Sequence, residues 1–164
     1  MIVVSDTTPL ISLMKAAKLD LLGPLFQEVL IPNAVYAELT TNPNFAEEAE
    51  QIKSCPFIKV VTVKEPKAVD VLQRSAGLDL GESEAIIYAD DVKADVLLMD
   101  EARGRQVAKS MGLYIMGTVG VLLFAYEEKI LTGADVAVAL DTLRKANRHI
   151  GEDIIKYALS KIQN

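Results

Sequence analysis

The sequence predicts an α/β fold in which helices cover a parallel sheet. Three observations predict it. Short apolar runs rich in β-branched residues alternate along the chain with amphipathic stretches of helical period. These runs are continuous rather than alternating, as suits strands buried on both faces. Two of them, Ile2-Val3-Val4-Ser5 and Val96-Leu97-Leu98-Met99, pass straight into an aspartate, Asp6 and Asp100. In open α/β sheets that carboxyl edge is where ligands bind.

Taken in order, Ile2–Ser5 is the first strand, and Thr7-Thr8-Pro9 opens a helix over Pro9–Ala17. Val29–Ile31 is the second strand. Asn33, after Pro32, is placed to cap a helix over Asn33–Thr40. A helix over Phe45–Ser54 leads to a strand at Ile58–Val63. Lys64–Asp79 carries the weakest pattern, with a helix at Ala68–Arg74. Helix Gly81–Asp91, strand Val96–Met99 and helix Ala102–Met111 follow, the last stopped by Gly112. Strand Tyr114–Met116 and helix Val119–Glu128 complete a core over residues 1–128. Residues 129–164 read as an appended hairpin of two helices, Ala134–Ala146 and Glu152–Ile162, within the same single domain. The hairpin's stripe of Val136, Leu140 and Leu143 needs cover from the domain itself or from a second protein.

The 164 residues are enough for one domain with a substantial core, and 51% apolar content excludes a disordered chain. Seventeen Lys and Arg against 23 Asp and Glu give a net charge of −6. That argues against grip on nucleic acid by bulk positive field, but leaves room for a local basic rim or a cation-filled acidic site. Cys55 is the single cysteine, so an intrachain disulfide is excluded. No basic leader precedes the first apolar run, and the longest such run, Val119 to Tyr126, is too short to span a bilayer. A cytoplasmic protein without membrane association is expected.

Four carboxylates stand where the pattern makes them conspicuous. Asp6 and Asp100 end two apolar strands. Glu38 shares a helical stripe with Ala34, Val35 and Leu39, and Glu82 heads the stripe of Ala85, Ile86 and Ala89. Each has a simpler explanation taken singly. Asp6 and Asp100 precede helices and could cap them; Glu38 could pair with a Lys or Arg; Glu82 sits in a first turn, where the macrodipole favours negative charge. Four such positions, two aimed at one sheet edge, are harder to explain separately. Gathered carboxylates raise one another's pKa, and a divalent cation removes that penalty. Oxygen ligands without His or Cys select Mg²⁺ or Mn²⁺, the metals of phosphoryl transfer.

The ordered motifs VVSDTTPLI, IPNAVYAEL, LDLGESEAI, LLMDEARGR and MGTVGVLL cover most of residues 1–128. In this set the chain resembles the PIN-domain family, and more closely a PIN-like prokaryotic branch related to VapC-type toxins. The resemblance implies a three-layer α/β/α fold with a five-stranded parallel sheet of order 3-2-1-4-5. It implies a metal-dependent ribonuclease whose four acids fall on Asp6, Glu38, Glu82 and Asp100, holding Mg²⁺ or Mn²⁺. The ion activates a water for in-line attack on RNA, leaving a 5′-phosphate and a 3′-hydroxyl. It also implies a toxin–antitoxin setting, in which an antitoxin protein blocks the cleft, and a homodimer; the hairpin could serve either contact. Two departures from the family pattern are Glu82, where Asp is commoner, and Met99, where a hydroxyl residue often precedes the fourth acid.

Accessory candidates complete the expectation. Glu84 is a substitute ligand lying off the Glu82 stripe. Thr118 could bind phosphate or cap its helix. Ser5 and Thr7 could orient Asp6. Arg103 and Arg105 could contact a phosphate backbone, Arg105 reading more simply as part of a solvated helix face. Lys15, Lys18 and Lys109 could form a basic rim, and His149, the one histidine, is expected on the surface. The alternative function is a catalytically inactive PIN-like binding or regulatory module, towards which the net charge, Glu82 and Met99 lean. An aspartyl phosphatase wants a second Asp where Thr8 stands, and a receiver domain wants Lys where Thr118 stands, so both are disfavoured.

Overall fold

The computed structural model describes residues 1–148 and 150–162, so the expectation for His149 lies outside the described residues. Five parallel strands form one sheet of order β3-β2-β1-β4-β5, as expected. They are β1 (Val3–Ser5), β2 (Val29–Pro32), β3 (Ile58–Val61), β4 (Val96–Leu98) and β5 (Ile115–Met116). The helices are α1 (Thr7–Lys15), α2 (Leu22–Phe26), α3 (Asn33–Thr41), α4 (Ala46–Ser54), α5 (Pro66–Ala76), α6 (Leu80–Asp91), α7 (Ala102–Ser110), α8 (Thr118–Glu127), α9 (Gly133–Lys145) and α10 (Glu152–Ile162).

The pleat sorts the strand side chains into two cores. Val3, Val96 and Leu98 face one layer, with Leu10, Leu13, Val121 and Leu122 of α1 and α8. Val4, Leu97 and Met99 face the other, with Ala85, Ile86 and Ala89 of α6 and Ala108 of α7. Neighbouring residues on a strand point to opposite faces, so a run that is apolar at every position needs helices on both sides.

The hairpin stripe is covered by the chain itself. Val136 and Leu143 are fully buried and Leu140 nearly so, in the same core as α1 and α8. Val136→Ala is therefore expected to lower unfolding stability by about 2 kcal/mol, measured by urea titration. Helix α9 is set by a capping box in which Thr132 accepts from the Asp135 N–H and Asp135 from the Thr132 N–H.

Several boundaries differ from expectation for local reasons. Helix α1 begins at Thr7, two residues early, because proline is tolerated throughout a first turn, where its missing N–H has no intrahelical partner. Asn33 is not a cap: Pro32 occupies that position and the Asn33 amide donates to Thr62 Oγ1 at 2.9 Å. Helix α2, after a 3₁₀ turn at Leu19–Leu21, was not legible behind Gly23 and Pro24. The obscure 64–79 stretch contains the full α5, closed by Gly77 in the left-handed conformation at φ 68°.

Candidate active site at the carboxyl edge of the sheet

The strand order reverses between β1 and β4, whose register pairs Val3 with Val96 and Ser5 with Leu98. The ladder extends one residue beyond each strand. The Asp6 N–H donates to the Leu98 carbonyl at 3.0 Å, and the Met99 N–H donates to the Met116 carbonyl at 3.0 Å. Asp6, Asp100 and Gly117 thus leave the sheet side by side, at the switch point where α/β sheets open a crevice.

Asp6 is 2% exposed and precedes α1, yet its side chain makes no capping hydrogen bond to that helix. Capping therefore does not explain it. Its carboxyl is pushed up to about 8, chiefly by burial; the Thr7 N–H opposes the shift, and Glu82, Asp79 and Glu38 reinforce it. The neighbouring Thr7 hydroxyl donates to Glu38 Oε2 at 3.0 Å, so it orients the second acid rather than Asp6. No ion pair to Lys or Arg holds Glu38 among the described residues.

Glu82 realises its simpler reading in part. It forms a capping box with Asp79: the Glu82 N–H donates to Asp79 Oδ1 at 2.8 Å, and the Asp79 N–H donates to Glu82 Oε1 at 3.1 Å. Burial raises its carboxyl to about 7, opposed by the Asp79 N–H and reinforced by the Asp79 carboxylate and Glu101. Its second oxygen, Oε2, lies against α7, where a Cβ built on Gly104 would stand 3.1 Å away. A Cβ on Gly81 would stand 3.4 Å from Glu38 Oε2 and 3.6 Å from Asp79 Oδ1, which places those two acids around one glycine.

Asp100 does not cap the helix that follows it; Glu101 holds that position. Its carboxylate instead receives the Thr118 N–H at 2.7 Å and the Thr118 hydroxyl at 2.5 Å, against the positive end of α8. Thr118 thus acts neither as cap nor as free ligand, but as the group that aims Asp100. Arg105 Nη1 donates to the Met99 carbonyl at 2.9 Å, beside the same carboxylate. Arg105 is half-buried rather than part of a solvated face, because α7 starts at the carboxyl edge and its first turns remain there.

The edge thus gathers Asp6, Glu38 and Glu82, with Asp79 as an acid that reading the sequence missed. The signal was present as Asp79-Leu80-Gly81-Glu82, a D-x-x-E capping pattern before an apolar helix. Asp100 shares the edge but is turned towards Thr118. Among the described residues no three His, Cys, Asp or Glu side chains stand close enough to hold a metal ion as placed. Three of the four accept hydrogen bonds within the chain: Glu38 from Thr7, Glu82 from the Asp79 N–H and Asp100 from Thr118. By donor chemistry the set still fits a hard divalent ion, since it is all oxygen and two of its members, buried Asp6 and half-buried Glu82, face charge of their own sign.

The remaining candidates lie elsewhere. Ser5 donates to the main-chain carbonyl of Asp6 at 2.8 Å. Glu84 accepts the Ala34 N–H at 3.0 Å and so holds the start of α3. Arg103 donates to the Ala76 carbonyl at the end of α5. The basic rim does not form: Lys15 pairs with Glu48 at 2.6 Å, Lys18 lies near Asp135, and Lys109 is exposed at the end of α7. Helices that follow these strands run away from the carboxyl edge, so Lys15 and Lys109, in the last turns of α1 and α7, end roughly 12 Å from the acids.

A family model described as a PIN domain matches residues 2–164. The chain belongs to the PIN-domain family. PIN domains are in general nucleases and typically use divalent metal ions. The PIN sheet order agrees with the one observed. Comparison with curated proteins and with solved structures gave no match. No helix of this PIN domain, among the described residues, is long and apolar enough to cross a membrane.

Proposed function

We propose that this PIN domain is a Mg²⁺- or Mn²⁺-dependent endoribonuclease of VapC-related type, the toxin of a toxin–antitoxin pair. The observation that carries the reading is the Asp6 carboxyl, buried at the β1–β4 switch point with Glu38 of α3 and Glu82 of α6 near it. Asp6, Glu38, Glu82 and Asp100 would hold the ion. Bound there, it supplies Lewis-acid activation of water and neutralises charge on the phosphate. Thr118 fixes the direction of Asp100, Thr7 that of Glu38, and Arg105 offers its remaining donors to a phosphate oxygen. An antitoxin protein covering this edge and a homodimer belong to the same reading.

Purified protein is expected to cleave single-stranded RNA with Mg²⁺ or Mn²⁺ and to stop on chelation. Asp100→Asn is expected to reduce the rate roughly 10²–10³-fold, the scale of losing one charge-stabilising group. Cleavage that survives both Asp6→Asn and Asp100→Asn would assign the activity to a contaminant.

A second reading, the inactive PIN-like module, is favoured by one observation: three of the four carboxylates already have donors within the chain. Calorimetric titration separates the two. Absence of Mn²⁺ binding at millimolar concentration selects the module.

A further inference from the structure

A cavity of about 750 Å³ adjoins the candidate site. Its wall includes Asp100, Arg105 and Thr118, continues through β5 and the first turns of α8, and reaches Ile154 and Tyr157 of α10. Two tyrosines on this wall do little for the fold: Tyr114 is 63% exposed and Tyr157 is 56% exposed. Lys161 Nζ stands 5.4 Å from the centre of the Tyr157 ring. Two arginines line the same cavity. Arg105 uses Nη1 on the Met99 carbonyl, and Arg148 uses Nε on Ser12 Oγ at 3.1 Å. A guanidinium has five N–H donors, so both keep donors for a ligand.

We propose that this groove seats the single-stranded RNA nucleotides that flank the cleaved phosphate, with Tyr114 and Tyr157 as stacking platforms and Arg105 and Arg148 as backbone contacts. The proposal rests on the ribonuclease reading above and adds the part of the substrate that reading leaves unplaced. Continuity is its first support: a strand whose phosphate lies at Asp100 and Thr118 has this groove as its next surface. The chemistry of the wall is its second. Open aromatic rings beside arginines suit unstacked bases, whereas a duplex keeps its base faces to itself. The size fits, since a volume of this order encloses about one or two nucleotides. The groove also carries the carboxylates Asp100 and Glu127, so stacking rather than bulk charge sets the affinity. A shallow dependence on salt follows.

The test is fluorescence anisotropy of a labelled ten-nucleotide RNA with the full chain in chelator, so that no cleavage is needed. Tyr114→Ala and Tyr157→Ala are each expected to weaken binding about tenfold, while Tyr114→Phe and Tyr157→Phe stay within about twofold of the parent. Both rings are exposed, so the variants are expected to keep the parent's melting temperature. Alanine variants that bind like the parent overturn the proposal, as does absence of binding by the parent at about 100 µM protein. Alanine variants that change sedimentation but not RNA affinity overturn it too, and make this face a contact between copies. Tyrosine-dependent binding by a protein that never cleaves with Mg²⁺ or Mn²⁺ faults the ribonuclease reading instead. Metal-dependent cleavage with tyrosine-independent binding faults the groove alone.

Discussion

Asp6→Asn is expected to make the protein more stable and catalytically silent at the same time. In the folded chain the Asp6 carboxyl titrates near 8 rather than near its ordinary 3.8. Between those values the unfolded chain has lost its proton and the folded chain still holds one. Stability therefore falls as pH rises from about 4 to about 8 and levels off above. At pH 7 the cost is on the order of 4 kcal/mol, because the group is almost fully enclosed. Asparagine fills nearly the same volume and carries no charge, so its variant should lack that slope. Thermal melting at pH 5, 7 and 9 would show the parent losing more stability across the series than the variant, whose remaining fall below pH 7 belongs to Glu82. Mg²⁺ or Mn²⁺ should raise the parent's melting temperature most at pH 9, where Asp6 is ionised, and leave the variant unmoved. A variant no more stable than the parent at pH 9 would mean that Asp6 is solvated in solution.

Gly117→Ala is expected to lower the rate of RNA cleavage about 100-fold while the chain still folds. Gly117 has φ −90°, which any residue adopts, so the backbone itself does not resist. The added methyl does: a Cβ there would stand 2.8 Å from Asp100 Oδ1 and 2.8 Å from Arg105 Nη1. Both groups are fixed, Asp100 by Thr118 and Arg105 by the Met99 carbonyl, so neither can yield without losing a hydrogen bond. Gly151→Ala is the control, since nothing lies within 4 Å of its Cβ position. Far-ultraviolet circular dichroism and the cleavage rate together decide the outcome. Equal rates for the two variants would place the reacting phosphate away from Asp100.

The sheet was legible in the sequence because burial on both faces leaves a direct imprint. Val3-Val4 and Val96-Leu97-Leu98 have no polar position to spare, and their aspartates mark where burial stops. The candidate acids Glu38 and Glu82 were legible as exceptions on apolar helical stripes. Positions decided by non-local contacts were harder to see. Asp100 reads locally as the cap of α7, but its partner is Thr118, beyond α7 and β5. Glu84 reads as a spare ligand, but its partner is Ala34, fifty residues earlier. The lysines failed for a geometric reason, since their side-chain chemistry says nothing of which end of a helix carries them.

The pairing of β1 with β4 joins segments 93 residues apart, the separation spanned by the Ile2–Asp95 hydrogen bond. During synthesis at about 5–20 residues per second, β1 waits several seconds for that neighbour. Thr118, which aims the last acid, emerges later still. A chain halted between residues 39 and 81 therefore holds Asp6 and Glu38 but lacks Glu82 and Asp100. Such a fragment carries two acids of the edge without the two that later segments bring beside them.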